Sequence, residues 1–540
     1  MNKYLLSLLL LLPITFVVAQ DNDENNEDEV EEVVVLGIKQ SLKDAIDIKR
    51  SNVGIVDAIT AEDFGQFPDG NLAESLARVV GVAIDRSNVE GQKVAVRGFG
   101  PEFNLVTLNG RQMPTIPGQY DGGRSFNFGD ISSHGVSAVE IYKSTNLTLP
   151  TGGIGSTINM VTTKPLSIDG KMTSMSLAGV NDTTRVNGIQ NPVEFDFVTS
   201  TNNGSWGWSA SGSFQTRANR EEGTQESNWQ TTLPYEVAAG GALASEGNSY
   251  QRERRRLDNA TITGGSKRAD NAIFVPERHG YQIKDNSRTR KNFQATLQKA
   301  FGDNVEATLD YTYSEVKFQT EGTRWGSWLA GWNSSALTVA DNGAVTDITT
   351  GLVDYDHEAT WGNSRNHNNS LGLNVTWDVN DDLTMQFDMH QSTAELTGPS
   401  IDNVMTFSTG ITSTNTNNVI GHGGINKYAY SRNYSASEFA GDTATINDRD
   451  SLNDMEQIRL FGEWTNSNGM FSDALKSVEF GFSRVDQAFS DRRADKEYTI
   501  AAGSTAADFD DSIFTPTTLE NFMNSFSGFN NTDANYYFDI

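Results

Sequence analysis

Beyond Gly170 the chain keeps returning to one pattern, short segments in which apolar and polar side chains alternate. Val305, Ala307, Leu309, Tyr311 and Tyr313 interleave with Glu306, Thr308, Asp310, Thr312 and Ser314. Leu371, Leu373, Val375 and Trp377 stand at the same spacing, as do Leu383, Met385, Phe387 and Met389. A period of two puts the apolar side chains on one face of a strand and the polar ones on the other. Nine such strands are predicted, near 171–180, 193–200, 206–216, 290–301, 304–318, 368–378, 383–394, 456–466 and 476–490. A soluble β-sandwich shares this alternation, so the connections have to separate the two architectures. Asn202-Asn203-Gly204, Gly302-Asp303-Asn304 and Asn380-Asp381-Asp382 are tight turns, while 217–289, 319–367 and 395–455 are long loops. Short turns at one end and long loops at the other mark an antiparallel transmembrane β-barrel. A compact soluble domain seldom carries several loops of that length.

Composition agrees once the barrel is allowed. The hydrophobic fraction is only 37%, which suits a membrane wall in which alternate residues alone face lipid. The net charge of −29 excludes nucleic acid as a natural partner. With no cysteine in the sequence, no disulfide holds the exported chain. Export itself is read from residues 1–19. Lys3 precedes an apolar run from Tyr4 to Val18, and Val17-Val18-Ala19 supplies the small residues of a signal-peptide cleavage site. That run falls short of the roughly 20 residues a spanning helix needs. Residues 20–32 are nearly all Asp, Glu and Asn, an acidic tether too charged to fold.

Between tether and strands lies a segment of mixed character. A box and linker are assigned to 33–50 and a small α+β domain to 51–166. Ile55–Ile59, Val94–Gly98, Leu105–Gly110, Val139–Lys143 and Thr157–Thr162 read as strands, and Asn109-Gly110 as a hairpin turn. Ala61–Phe64 reads as a short helical turn. Asp69 or Asn71 can cap a helix carrying Leu72, Leu76 and Val79. The Gly152-Gly153-Ile154-Gly155 cluster joins two strands and lacks the helix and Lys-Ser/Thr of a phosphate loop.

The blocks IVDAITAEDFGQFPDGNLAESLARVVGVAIDR and VAVRGFGPEFNLVTLNGR, between Ile55 and Arg111, resemble the plug domain of the TonB-dependent outer-membrane receptors. They are similar in particular to a group associated with carbohydrate uptake. VEIYKSTNLTLPTGGIGSTINMVTTKPL, Val139 to Leu166, resembles the end of that plug. Glu32-Val33-Val34-Val35-Leu36-Gly37 resembles the TonB box, by which an energy-coupling partner in the periplasm pairs with the receptor. The alternative is that Val33–Leu36 is the plug's first strand. The resemblance implies a bacterial outer-membrane importer with a plug followed by a barrel (167–540), no cofactor and no catalysis. An oligosaccharide is the favoured ligand; a siderophore or cobalamin is the alternative, and a surface adhesin or structural barrel is the rival of another class. Arg97 and Arg111 stand in the family's VRGFG and LNGR patterns, where they are expected to pair with carboxylates of the wall.

Other features stay open between two readings. Trp325, Trp328 and Trp332 begin a long outer loop, where they either stack on a ligand or belong to the interfacial aromatic belt. Tyr120, Arg124 and Phe126 lie in a Gly-rich loop expected at the ligand-facing apex of the plug. Arg252, Arg254, Arg255 and Arg256 either meet lipopolysaccharide phosphates or an anionic ligand, or are neutralised by Glu253 and Asp258. The six histidines are scattered without metal-ligand spacing, and there is no G-x-S-x-G elbow. Plugged transporter barrels have about 22 strands, and nine cannot close around this plug. The sequence is therefore expected to be a piece of a longer chain whose barrel is incomplete here.

Overall fold

The computed structural model describes residues 41–517, with breaks at 53, 62–70, 88–89, 117–122, 147, 185–191, 228, 233–259, 266–272, 277, 329–333, 400–402, 418–426, 431–435, 468–474 and 500–513, and residues 535–538. The signal peptide, acidic tether and box assigned to residues 1–37 lie outside the described residues, as do Ala61–Phe64 beyond its first residue, Asp69, and Arg252–Arg256.

A helix over 41–51, α1, leads into the plug. Its strands are β1 (Val56–Thr60), β2 (Val82–Ser87), β3 (Glu90–Val96), β4 (Asn104–Leu108), β5 (Arg111–Gln112), β6 (Val136–Tyr142) and β7 (Ser156–Thr162), with α2 at Leu72–Leu76. Five form a sheet in the order β1-β6-β7-β4-β5, in which β4 and β7 run parallel. β2 and β3 form a separate hairpin. Of the two caps the sequence allowed, Asn71 does cap α2, its Oδ1 accepting from the Ala73 amide at 2.8 Å. A five-residue helix is too short to persist alone. It is held by burial of Leu72, Ala73 and Leu76 against the sheet. Val79 falls in the turn beyond the helix but still packs on the same core. Leu76, Val96, Val139, Ile141, Ile158 and Met160 are fully buried there. Every residue of this core belongs to the plug.

The wall begins with β8 (Lys171–Gly179), β9 (Val193–Asn202) and β10 (Trp206–Ser227). Three short strands follow in the first long connection, β11 (Gln230–Thr232), β12 (Thr261–Gly264) and β13 (Ile273–Val275). Then come β14 (Arg278–Phe301), β15 (Val305–Trp328), β16 (Ser334–Val339), β17 (Val345–Thr350), β18 (Leu352–Asn380), β19 (Leu383–Thr397), β20 (Asn403–Asn417), β21 (Lys427–Tyr430), β22 (Ala440–Thr465) and β23 (Ser477–Thr499). The wall runs β8-β9-β10-β14-β15-β18-β19-β22-β23, each strand antiparallel to its neighbours in sequence order. Among the described residues β8 pairs only with β9 and β23 only with β22, so the sheet does not close on itself.

The strands are longer than the alternation suggests. β14 and β15 have 24 residues each. At about 3.4 Å per residue they reach ~80 Å along the strand, far beyond an apolar band of ~25 Å. Past the band both faces meet water or other loops, so the ladder continues while the period-two signal disappears. Among the described residues the long connections are likewise largely strand. β20, within 395–455, pairs with the outer ends of β18 and β22. Ile273, Val275, Leu337, Val339, Val345 and Ile348 form a small core of their own from β13, β16 and β17.

The all-plug core makes a direct prediction. Ile141→Ala should destabilise the plug by about 2–5 kcal/mol, read as lost hydrogen-exchange protection across β6 and β7. Ile154→Ala, at an exposed position, should leave that protection within about 0.5 kcal/mol of wild type.

Candidate functional site

The site grows out of the turn at Asn109-Gly110. Both residues have positive φ, 53° and 76°, the geometry that Asn-Gly hairpins favour. The turn reverses β4 into β5 and projects Arg111 from the plug into the wall. Asn109 is fixed there from both sides. Its Oδ1 accepts from the Thr162 amide at 3.0 Å, and its Nδ2 donates to Asp310 of β15 at 2.6 Å.

Arg111 is only 4% exposed. Its Nε and Nη2 donate to the two oxygens of Asp388 on β19, each at 2.9 Å, and its Nη1 donates to Asp310 Oδ2 at 2.6 Å. The forked, two-point contact to Asp388 is the strongest form of an arginine–carboxylate pair. Burial pulls the guanidinium pKa down, but the bond to Asp388 and the charge of Asp310 outweigh it and raise it. Gly372 makes room for the arrangement. It lies on β18 opposite Asp310, and a Cβ there would stand 1.9 Å from Arg111 Nη1. Beside Arg111 a cavity of about 310 Å³ is lined by Asn109, Arg111, Glu140, Lys164, Asp388 and Arg459 among others. Arg459 of β22 donates to the Thr148 carbonyl of the plug at 2.5 Å.

A second belt of contacts lies further along the wall. Arg288 of β14 pairs with Glu90 of the plug, its Nη2 donating to Oε1 at 2.8 Å. Burial pushes the Glu90 carboxyl up, and Arg288 more than reverses this, holding it below its usual range. Asn292 donates to the Asp130 carbonyl at 2.8 Å, and Asn366 to its carboxylate at 3.4 Å. His134 Nδ1 lies 3.1 Å from Asp196 Oδ1 on β9. Burial keeps this histidine below its ordinary pKa despite Asp196. Burial also raises the Asp130 carboxyl to about 6, against the opposing pull of Asn366, Arg290 and Arg288.

The other residues singled out in the sequence are dispersed. Arg97 has φ 54° and donates from Nη2 to the Gly155 carbonyl at 2.9 Å. This bond lies within the plug, so Arg97 is a strut of the plug itself where a wall contact was expected. Phe126 is not at an open apex. It is buried in the plug core, its ring 5.1 Å from that of Phe128. Arg124 is exposed and reaches the Gly152 carbonyl at 3.5 Å. Trp325 is 2% exposed and packs 5.9 Å from Tyr281 between neighbouring strands, so its face is not open to a ligand. Trp328 donates its indole N–H to Asp356 and lies under Arg278 at 5.4 Å. Tyr120, Trp332 and Glu32–Gly37 lie outside the described residues.

A compact plug tied by polar contacts to the lumenal side of an up-and-down wall, whose other side carries the apolar residues, defines a plugged outer-membrane barrel. Residues 48–157 match the family model of the TonB-dependent receptor plug domain. The chain thus carries a TonB-dependent receptor plug domain followed by a large antiparallel sheet. No curated protein matches it by sequence. Among solved structures it is similar to the siderophore receptor PirA from Acinetobacter baumannii, at 11% identity, over 82% of this chain and 92% of that one, with a TM-score of 0.26. The ferric citrate transporter FecA matches at 10% identity over 82% and 79%, with a TM-score of 0.25. The copper transporter OprC matches at 9% over 84% and 62%, with a TM-score of 0.28.

Two predictions come from this interface. Arg111→Ala leaves two buried carboxylates facing each other and should weaken plug retention by about 3–5 kcal/mol, measured as the urea concentration at which protease first cuts the plug. For Asp130 the folded pKa lies above the unfolded one. Its contribution is therefore fully present below pH 3.8, falls as pH rises, and is gone above about 6. Asp130→Asn should stabilise the plug relative to wild type above pH 6, and the difference should vanish below pH 4.

Proposed function

We propose that the receptor binds a ligand between its outer connections and the plug and admits it to the periplasm when the plug is pulled. The reading is carried by the way plug and wall meet. The plug has an apolar core of its own, while its ties to the wall are Arg111 with Asp388 and Asp310, Glu90 with Arg288, and single hydrogen bonds. A body built this way can shift without unfolding, because moving it exchanges polar contacts for water instead of exposing its core. Arg111 is the latch in this scheme.

The pull is assigned to Glu32–Gly37. The acidic stretch before it suits a tether in the periplasm, and the β-branched Val33–Val35 suit pairing with a sheet edge of the energy-coupling partner. Residues 1–19 are proposed as the signal that exports the chain. The ligand proposed is an oligosaccharide, supported by the likeness of the Ile55–Arg111 segment to the carbohydrate-linked receptors. Transport of this kind is conformational work and calls for no catalytic residue or cofactor.

Deleting residues 33–37 should abolish uptake while ligand binding to whole cells persists. Undiminished uptake would sink the coupling assignment. Uptake by the intact receptor, tested on labelled oligosaccharides and on ferric chelates under iron limitation, assigns the ligand: transport of chelates alone would overturn the sugar reading and leave the coupling scheme standing.

A further inference from the structure

Asp388 has a second arginine for a neighbour. Arg459 of β22 is its direct cross-strand partner, in an antiparallel register that runs unbroken from Leu383 opposite Trp464 to Thr397 opposite Asp450. Side chains placed this way share one face, with their Cβ atoms about 5 Å apart. Both therefore point at the plug. Asp388 is taken up by Arg111 and by Asn374, whose Nδ2 donates to it at 3.0 Å. Arg459 instead donates to the Thr148 carbonyl at 2.5 Å and to Gln386 Oε1 at 3.2 Å. Both of these acceptors are neutral, although the side chain is a cation.

Arg459 sits close to the turn that carries Arg111. A Cβ at Gly110 would stand 3.7 Å from its Nη1. The cavity of about 310 Å³ is lined by Arg459 and Asp388 alike, which leaves the guanidinium room to swing between acceptors. The obstacle to pairing is Arg111 itself. It donates to both oxygens of Asp388, and two guanidinium groups brought to one carboxylate repel each other. Asp310 has no such neighbour. It stands opposite Thr296 on β14 and Gly372 on β18.

We propose that Arg459 is a positioning residue for import, which takes Asp388 over from Arg111 when the plug leaves its seat. Withdrawal removes Arg111 and Thr148 together, because both belong to the plug. It would otherwise strand a carboxylate and a guanidinium side by side on the wall. A charge left without its partner away from water is strongly destabilising, so pairing the two lowers the free energy of the withdrawn state and adds nothing to the seated one. Asp388 then has a cation in either position of the plug, and the wall has two discrete arrangements between which the plug selects. Asp310, with no cation across the strand, is left to water. The inference rests on the import reading, in which the plug moves.

Arg459→Gln removes the charge and keeps a neutral donor for the Thr148 carbonyl. If Arg459 only tied the plug down, this variant would let protease cut the plug at lower urea and would leave uptake by the intact receptor undiminished. The exchange predicts the reverse. The plug should be cut at higher urea, and uptake should be roughly fivefold slower, the effect of losing a part-solvated ion pair. Arg459→Lys, which restores the cation, should stay close to wild type in both. Cutting at lower urea, or wild-type uptake by Arg459→Gln, would overturn the proposal. A structure of the intact Arg111→Gln receptor supplies a test that needs no transport, because Asp388 has then lost its cation with the plug still in place. Arg459 should be found about 3 Å from Asp388, and an Arg459 that stays on Thr148 and Gln386 alone would contradict the exchange. This readout also separates the two failures. Undiminished uptake after deletion of residues 33–37 sinks the coupling scheme, whereas the pairing in Arg111→Gln is decided without it.

Discussion

The forked contact between Arg111 and Asp388 is the constraint on which the rest of the arrangement turns. A guanidinium buried to 4% exposure can be kept only with its charge matched. Asp388 and Asp310 supply more than the match, on strands separated from the plug by some 200 to 280 residues of sequence. Removing any one of the three leaves the others in a low-dielectric gap. The pair therefore fixes the rotation and depth of the plug more sharply than a patch of apolar surface would. It also explains a backbone feature of the wall, since Gly372 is the position at which a side chain would collide with the guanidinium.

The apolar core lies inside the plug, and ion pairs and hydrogen bonds tie it to the wall. The core around Ile141, Ile158 and Met160 draws on no wall residue, so displacing the plug need not break it. The belt at Glu90, Asp130 and His134 adds further polar ties, of which the Glu90–Arg288 ion pair is itself largely buried. The contact of Arg111 with Asp388 and Asp310 is the more deeply buried of the ties. Resistance to withdrawal is thus concentrated at one place near the turns that join β14 to β15 and β18 to β19, with weaker ties along the remaining path.

Much of this was legible in the sequence, for physical reasons that also explain what was not. Period-two alternation revealed the nine wall strands because lipid and lumen impose opposite chemistry on successive residues. It failed above Phe293 and Tyr313, where that contrast ends, and so concealed the outer halves of the strands and all of β20. The Asn109-Gly110 turn was readable because few dipeptides accept positive φ twice in succession. Asp310 and Asp388 were not picked out, although each interrupts an apolar alternation as an acid on the polar face, between Leu309 and Tyr311 and between Phe387 and Met389. That signal is present, but nothing local says which of many such acids meets Arg111. Phe126 was misplaced because a Gly-rich neighbourhood suggests an exposed loop, whereas its ring turns inward onto Phe128. Trp325 shows the same limit, since a tryptophan near a loop reads alike whether it faces ligand or a neighbouring strand.

The central claim is that the plug must leave its seat against the wall for import to occur. The chain has no cysteine, so a pair introduced at Gln112 and Gln457, whose backbone amide and side-chain oxygen lie 3.1 Å apart, can be joined by a short reducible bis-thiosulfonate linker without competing reactions. The account predicts that the linked receptor still binds its ligand but does not take it up, and that reduction restores uptake. Full uptake with the link demonstrably intact would contradict it.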